Sequence, residues 1–167
     1  SSEVSRWVLA HQYSRQDDAW RTHQTTSAVS FSGTTIGREL RRSLDQTRLL
    51  TYLQYHNEAA GFFDALRWSI SLHEQDEEQD RLRLSGGRQR LDQQAFEVDT
   101  LGTFLQLEKE TSGGRWSGGF DFYHDEVDSS KREWDVASGA ARGPFIQGPV
   151  ADDARYDRYG IYLQDIV

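Results

Sequence analysis

Four carboxylates crowd one short stretch, GFDFYHDEVD at residues 119 to 128: Asp121, Asp125, Glu126 and Asp128. Glycoside hydrolysis needs two carboxyl groups roughly 5 to 9.5 Å apart on opposite sides of a bond, with pKa values pushed in different directions. On an extended chain Asp121 and Asp125 share a face but stand four residues apart, about 13 Å. That separation is too long for such a pair. The stretch therefore reads as a strand with Asp121 on a wet face and the other three carboxylates at the entry to a solvated loop.

Five histidines, His11, His23, His56, His73 and His124, raise the question of a metal or haem. A site needs two or three of them to converge with a supporting shell of hydrogen bonds. None sits at i, i+2 on a strand or i, i+4 on a helix, so convergence requires cross-strand neighbours. A hairpin centred near residue 60 places His56 opposite residues 64 to 66 and leaves His73 farther along, so no ligand pair forms. The expectation is no metal and no cofactor. His11 is the oddity, because it shares a face with Trp7, Leu9 and Tyr13: either that face does not meet lipid, or His11 sits at the headgroup level, where an imidazole is tolerable.

The acidic run EQDEEQD (residues 74 to 80) has the carboxylates that Ca²⁺ favours, but not the glycine-centred spacing of an EF-hand loop, and it runs directly into Arg81 and Arg83. It reads as a solvated loop face. The paired glycines of SGGR (85 to 88) and TSGGR (111 to 115) lack the Lys-Ser/Thr that completes a phosphate loop, and read as turns. No serine stands in a nucleophile setting with a placed histidine and acid, so the chain is not expected to be an enzyme.

The elements that carry these residues follow from composition and period. Net charge of −8 opposes a nucleic-acid partner, whose phosphates need clustered Lys and Arg. Cysteine is absent, which removes disulfides and thiolate sites together. Methionine is absent too, even at position 1, so the chain is expected to be a processed product or a piece of something longer. Mean hydropathy is −0.77, yet five tryptophans, seven tyrosines and eight phenylalanines need somewhere apolar to go. No run approaches the roughly 18 apolar residues of a membrane helix, and no signal peptide is seen; a membrane β-strand, whose signal is weaker, stays open.

Six segments alternate with the period of a strand: Val4 to Ser14, Arg48 to Asn57, Phe63 to Glu74, Glu97 to Glu108, Arg115 to Glu126 and Tyr156 to Ile166. In the third, Leu66, Trp68, Ile70 and Leu72 share one face and Arg67, Ser69, Ser71 and His73 the other. The fourth sets Leu101, Thr103, Leu105 and Leu107 against Gly102, Phe104 and Gln106. Connections alternate in length, with long polar stretches at 15–47, 75–96 and 127–155 and tight turns at 58–62 and 109–114. Three such loops are uncommon in a compact soluble domain. They suit an up-and-down membrane barrel, as do segments near ten residues with aromatics toward their ends at Trp7, Tyr13, Tyr55, Trp116, Phe122 and Tyr159. A soluble antiparallel sandwich gives the same alternation and stands as the alternative.

Several stretches resemble the barrel of TonB-dependent outer-membrane receptors: RELRRSLDQTRLLTYLQYH (38 to 56), SISLHEQDEEQDRLR (69 to 83), FEVDTLGTFLQLEKE (96 to 110), GFDFYHDEVDSS (119 to 130) and IQGPVADDARYDRYGIYLQDIV (146 to 167). The last is the most distinctive. The plug, the TonB-contacting box and the terminal aromatic strand of that family are missing, and six strands cannot close a barrel of about 22. The expectation is therefore one partial barrel domain over residues 1 to 167: all-β, about six consecutive antiparallel up-and-down strands of a transmembrane β-barrel.

The resemblance implies a location in the outer membrane of a Gram-negative-type bacterium. It implies contact with membrane lipid, with a plug domain of the same full-length chain and, through that plug, with the TonB complex. The cargo it implies is a small scarce solute such as an iron-siderophore or haem. Trp20, Arg38, Arg41, Arg42, Trp134 and Arg142, placed in the long loops, are expected to face outside and help capture ligand. Arg67, Gln106, Asp121 and Tyr123 are expected to face the lumen and touch the plug or line the passage. Under the sandwich alternative, a carbohydrate- or ligand-binding module, Trp20 and Trp134 become sugar-stacking platforms.

Overall fold

The computed structural model describes residues 4–22, 24–25, 36–145 and 152–166. They form one antiparallel sheet, with strands β1 (Ser5–Trp20), β2 (Glu39–Asn57), β3 (Ala65–Ser85), β4 (Arg88–Thr111), β5 (Gly114–Asp135), β6 (Ala141–Phe145) and β7 (Ala154–Ile166). The chain meanders β1-β2-β3-β4-β5, each strand paired with the next. The far edge of β5 is then shared end to end, by β6 along Lys131–Trp134 and by β7 along Arg115–Val127. The sheet is open and does not close into a barrel. No helix occurs among the described residues.

All six expected strands are present, but five of them run well beyond their expected ends. Residues 75–96, expected as a loop, instead continue β3 and β4 to a two-residue turn at Gly86–Gly87, with φ of 59° and 77°. Two consecutive positive φ values define the type I′ hairpin that follows the twist of the flanking strands. Likewise β1 continues to Trp20, β2 starts at Glu39 and β5 continues to Asp135. The physical reason is that these extensions are mostly polar on both faces: Glu74 to Asp80 contain no apolar residue, and Leu82, Leu84 and Leu91 near the tip are too few to set a period. Their ladders are held by backbone pairing and by cross-strand polar pairs such as Gln79 Nε2 to Gln94 Oε1 at 2.9 Å, which leave no apolar alternation to read.

At the other end of the sheet the turns are short, as expected. Gly113 N donates to Thr111 Oγ1 (3.3 Å) and the same hydroxyl donates to Gly114 O (3.0 Å), closing the β4–β5 hairpin. Asp64, just before β3, accepts from Glu110 N (2.6 Å) and pairs with Lys109 Nζ (3.2 Å), tying the β2–β3 turn to β4. One residue is extra on β1, where the register jumps between Gln16 and Ala19. Asp18 sits there at φ 48°, its N donating to Asp45 Oδ1. This is a bulge, which bends the edge strand.

Burial is inverted relative to an ordinary water-soluble domain. Among the described residues the buried hydrophobics are Leu44 and Val127, whereas Glu39, Asp92, Glu108 and Glu133 are buried charges. One face, the aromatic face, presents in rows across β1, β2, β3, β4, β5 and β7 the residues Trp7, Tyr55, Trp68, Leu105, Phe120 and Ile161, then Leu9, Leu53, Ile70, Thr103, Phe122 and Tyr159. Leu9 and Leu163 are 73% exposed and Ile161 88%. The opposite, polar face is the more enclosed one.

Candidate functional site

The polar face follows directly from register. Counted from the short turns, its first row to cross β1, β2, β3, β4, β5 and β7 reads Arg6, His56, Arg67, Gln106, Gly119 and Tyr162. The next two rows bring in Phe104, Asp121 and Gly160, then Gly102, Tyr123 and Arg158. Arg67, Gln106, Asp121 and Tyr123, the four residues expected on one wet face, therefore do share it. Gln106 Nε2 donates to Glu108 Oε1 (2.9 Å) and Ser117 Oγ (3.2 Å), and Glu108 is in turn ion-paired to Arg115. Arg158 lies over the Tyr123 ring at 5.2 Å and reaches Asp125 Oδ2 at 3.1 Å. A cavity of about 550 Å³ at the short-turn end is lined by Arg6, His56, Arg67, Asp64, Glu108 and Arg115.

Three glycines on this face each stand opposite a large side chain that occupies the space a Cβ would take. Tyr123 lies over Gly102, Tyr162 over Gly119 and Asp121 over Gly160. The side chains are laid across the neighbouring strand rather than standing off the sheet.

Toward the long end, the polar face holds a buried ionic cluster that the sequence reading missed. Asp92, fully buried, accepts from Arg83 Nε (2.5 Å) and Arg81 Nη2 (2.7 Å). Arg83 also reaches Glu133 Oε1 (3.3 Å), which Lys131 Nζ approaches at 3.1 Å, and Arg81 and Arg42 each lie 3.5 Å from Glu39. The hydrogen bond to Asp92 is the main cause that raises the Arg83 pKa, while burial lowers that of Arg42. The available signal was the spacing Arg81-x-Arg83 and Arg90-x-Asp92 about a Gly-Gly turn, which places these groups on one face of a hairpin.

The six residues expected in outer loops scatter. Trp20 ends β1, Arg41 and Arg42 lie in β2, Trp134 in β5 and Arg142 in β6, so all five belong to strands. Their expected loop placement is corrected by the polar extensions described above. Arg38 lies in the bend before β2, its carbonyl accepting from Leu84 N (2.9 Å). Arg41 stacks over Trp20 (5.6 Å) and pairs with Asp18 (3.2 Å) on the side of the sheet away from Arg42. These six do not converge on one pocket.

The histidines stay apart: His56 faces Arg67, one position beyond the expected 64–66, and His73 faces Leu50. His11 Nδ1 meets Thr51 Oγ1 (2.9 Å) and His124 Nδ1 meets Asp157 Oδ1 (2.7 Å), so the two imidazoles on the aromatic face have polar partners there. His23 lies outside the described residues. No group of three or more His, Asp or Glu side chains among the described residues is arranged to hold a metal ion.

The acidic run is strand, not loop, and this corrects its expected placement. Glu74, Asp76, Glu78 and Asp80 continue the aromatic face beyond Leu72, beside Asp45, Glu97, Asp99 and Asp128. Burial first, then the fields of Asp76, Asp99, Asp128 and Glu74, hold the Glu97 carboxyl above its ordinary value. The apolar rows end sharply where this acidic zone begins. Along β3 and the residue just before it, the first charged positions bounding the band on this face are Asp64 and Glu74, ten residues or roughly 34 Å apart along the chain.

Neither protein-family models nor curated proteins give a match to this chain.

Proposed function

We propose that the chain is a stretch of the β-barrel of an outer-membrane receptor that takes up a scarce solute, such as an iron chelate or haem, with energy from the TonB complex. The observation that carries the membrane half of this reading is the inverted burial: large apolar side chains outward on one continuous face, carboxylates buried and paired with half-buried arginines on the other. Burying a large apolar side chain contributes about 1.5–3 kcal/mol, so leaving Trp7, Leu9, Tyr13, Leu72, Tyr159, Ile161 and Leu163 in water forgoes on the order of 10 kcal/mol. A sheet tilted by about 40° would project the 34 Å between Asp64 and Glu74 to about 26 Å, close to the roughly 25 Å apolar band of outer-membrane barrels.

Trp116, 40% exposed and in register with Lys109 at the edge of the apolar rows, supports an aromatic anchor at the short-turn boundary, while Trp7 packs on Tyr55 (centroids 4.4 Å) and Trp68 (6.5 Å) nearer the middle of the band. The polar face would then line the lumen. There the row Arg6, His56, Arg67, whose two guanidinium groups make no ion pair among the described residues, suits acidic groups of a plug from the same full-length chain. The cell-surface end would be the polar extensions with their ionic cluster. None of these residues is assigned covalent chemistry, and none is assigned to a metal or cofactor. A soluble two-sheet module would need a second sheet over Leu9 and Ile161, and the described residues form one sheet.

The test has two arms. Ile161→Arg, at a site 88% exposed, should cost about 2–4 kcal/mol in the bilayer-inserted full-length chain, whereas the same change on a watery surface costs within about 0.5 kcal/mol. Outer-membrane fractionation, followed by accumulation of a labelled ferric chelate or haem with and without an intact TonB complex, checks the transport half. Recovery of the chain as a water-soluble monomer would overturn the proposal.

A further inference from the structure

Beneath the apolar rows on the aromatic face lies a groove of about 420 Å³. Its floor is Gly118, and its walls are Leu105 and Leu107 of β4 on one side and Ile161 and Leu163 of β7 on the other. The groove exists because β5 carries no side chain at that point, while both neighbouring strands carry branched ones. Between Trp116 and Phe120, which close its ends, it runs about 13 Å along the strand. A space of that length and width, apolar throughout, fits an extended hydrocarbon chain.

The groove ends in a row of opposite charges. Register places Lys109 on one side of Trp116 and Asp165 on the other, so this cation and this anion flank the indole about 10 Å apart on one face. Asp64 stands beside Lys109 at 3.2 Å and satisfies it only in part, since its second oxygen is taken by Glu110 N at 2.6 Å. A purely anionic headgroup would meet one ammonium and two carboxylates. A zwitterionic headgroup meets complementary charge twice, its phosphate on Lys109 and its ammonium on Asp165.

We infer that this groove seats one phosphatidylethanolamine-type phospholipid, with an acyl chain over Gly118 and the headgroup spread between Lys109 and Asp165. The inference rests on the membrane-barrel reading and adds to it a lipid held at a defined place with a defined headgroup, in the leaflet on the short-turn side. The indole of Trp116, 40% exposed, sits at the level where glycerol and carbonyl groups would lie.

The experiment is native mass spectrometry of the full-length chain in neutral detergent, titrated separately with dioleoyl phosphatidylethanolamine and dioleoyl phosphatidylglycerol. Expected is a first-bound phosphatidylethanolamine at least about threefold tighter than phosphatidylglycerol. Gly118→Leu should abolish that preference, and Lys109→Gln and Asp165→Asn should each reduce it. Should Gly118→Leu fail to fold, Gly118→Ala decides with Lys109→Gln, because its Cβ meets only the movable Leu163 Cδ1 at 3.2 Å and the Tyr162 carbonyl at 3.5 Å. Equal binding of the two lipids, or a preference untouched by all of these changes, would overturn the inference while leaving a detergent-folded barrel intact. A chain that folds in water and binds neither lipid would overturn the barrel reading as well.

Discussion

Asp92→Asn tests the ionic cluster most directly, since it keeps the shape of the side chain and removes one buried charge. The carboxylate is fully buried and takes short hydrogen bonds from Arg83 and Arg81, at 2.5 and 2.7 Å. Breaking a buried pair from one side costs about 3–5 kcal/mol because the other charge stays desolvated. Here the two arginine side chains keep 26% and 21% of their exposure, and Glu133 and Glu39 remain close to them. Partial solvation and these second partners bring the expected loss to about 2–3 kcal/mol.

The loss should appear as local opening of the β3–β4 hairpin, read by amide hydrogen exchange of the full-length chain in detergent. At about 1.4 kcal/mol per factor of ten, exchange across residues 81–92 should quicken by about 30- to 150-fold. Asp80→Asn, at an exposed carboxylate on the opposite face, should shift exchange by less than about 0.5 kcal/mol in equivalent terms. A double-mutant cycle of Asp92→Asn with Arg83→Met should return a coupling above about 1 kcal/mol. If Asp92→Asn behaves like Asp80→Asn, the cluster contributes nothing and the reasoning fails.

Other outcomes follow from the same geometry. Gly119→Ala should cost more than Gly118→Ala, by about 1–2 kcal/mol in denaturant unfolding, because its Cβ collides with the Leu105 carbonyl and the Tyr162 ring whereas that of Gly118 meets a movable leucine methyl. Glu97→Gln should stabilise slightly at pH 7. The folded pKa of Glu97 is raised above its unfolded value, so the native state binds more protons and stability falls as pH rises through that window. The advantage of the glutamine should vanish once the pH drops below 4.5, which a pH series of melting curves checks. At Asp135 the sign reverses: hydrogen bonds from Ser138 N and Oγ, then from Ala137 N, lower its pKa, so the β5–β6 turn should hold above the ordinary carboxylate range and loosen as pH falls through the lowered value, seen as faster exchange at 136–140.

What was legible in the sequence tracks where burial is one-sided. Leu66, Trp68, Ile70 and Leu72 alternate with Arg67, Ser69, Ser71 and His73, and β3 begins where that pattern begins. The pattern stops at Glu74 although the strand goes on to Ser85, because both faces are polar or charged from Glu74 to Asp80 and a ladder wet on both sides has no apolar period; alternation returns only briefly at Arg81-Leu82-Arg83-Leu84. The same blindness put Trp20, Arg41 and Trp134 in loops. Register in such a stretch is only weakly specified by hydrophobicity. Asp92 opposite Arg81 supplies the missing specification, since a slip would bury a charge without its partner. The shared face of Arg67, Gln106, Asp121 and Tyr123 was readable from parity alone, because a pleat places every second residue together.

The three glycines opposite Tyr123, Tyr162 and Asp121 bear on the texture of the polar face. With a side chain at each of those positions, the two rings would be pushed upright and the surface would be ridged. Lying down, they make a low, nearly smooth wall that still offers two phenol oxygens and a carboxylate at its surface. Such a wall resists a neighbour sliding past it very little and has few notches in which anything could lodge. A body packed against it would therefore be held by the charges beside the smooth tract, Arg6 and Arg67 in the row of Gly119 and Arg158 at the Tyr123 ring, and would meet little resistance along the tract itself.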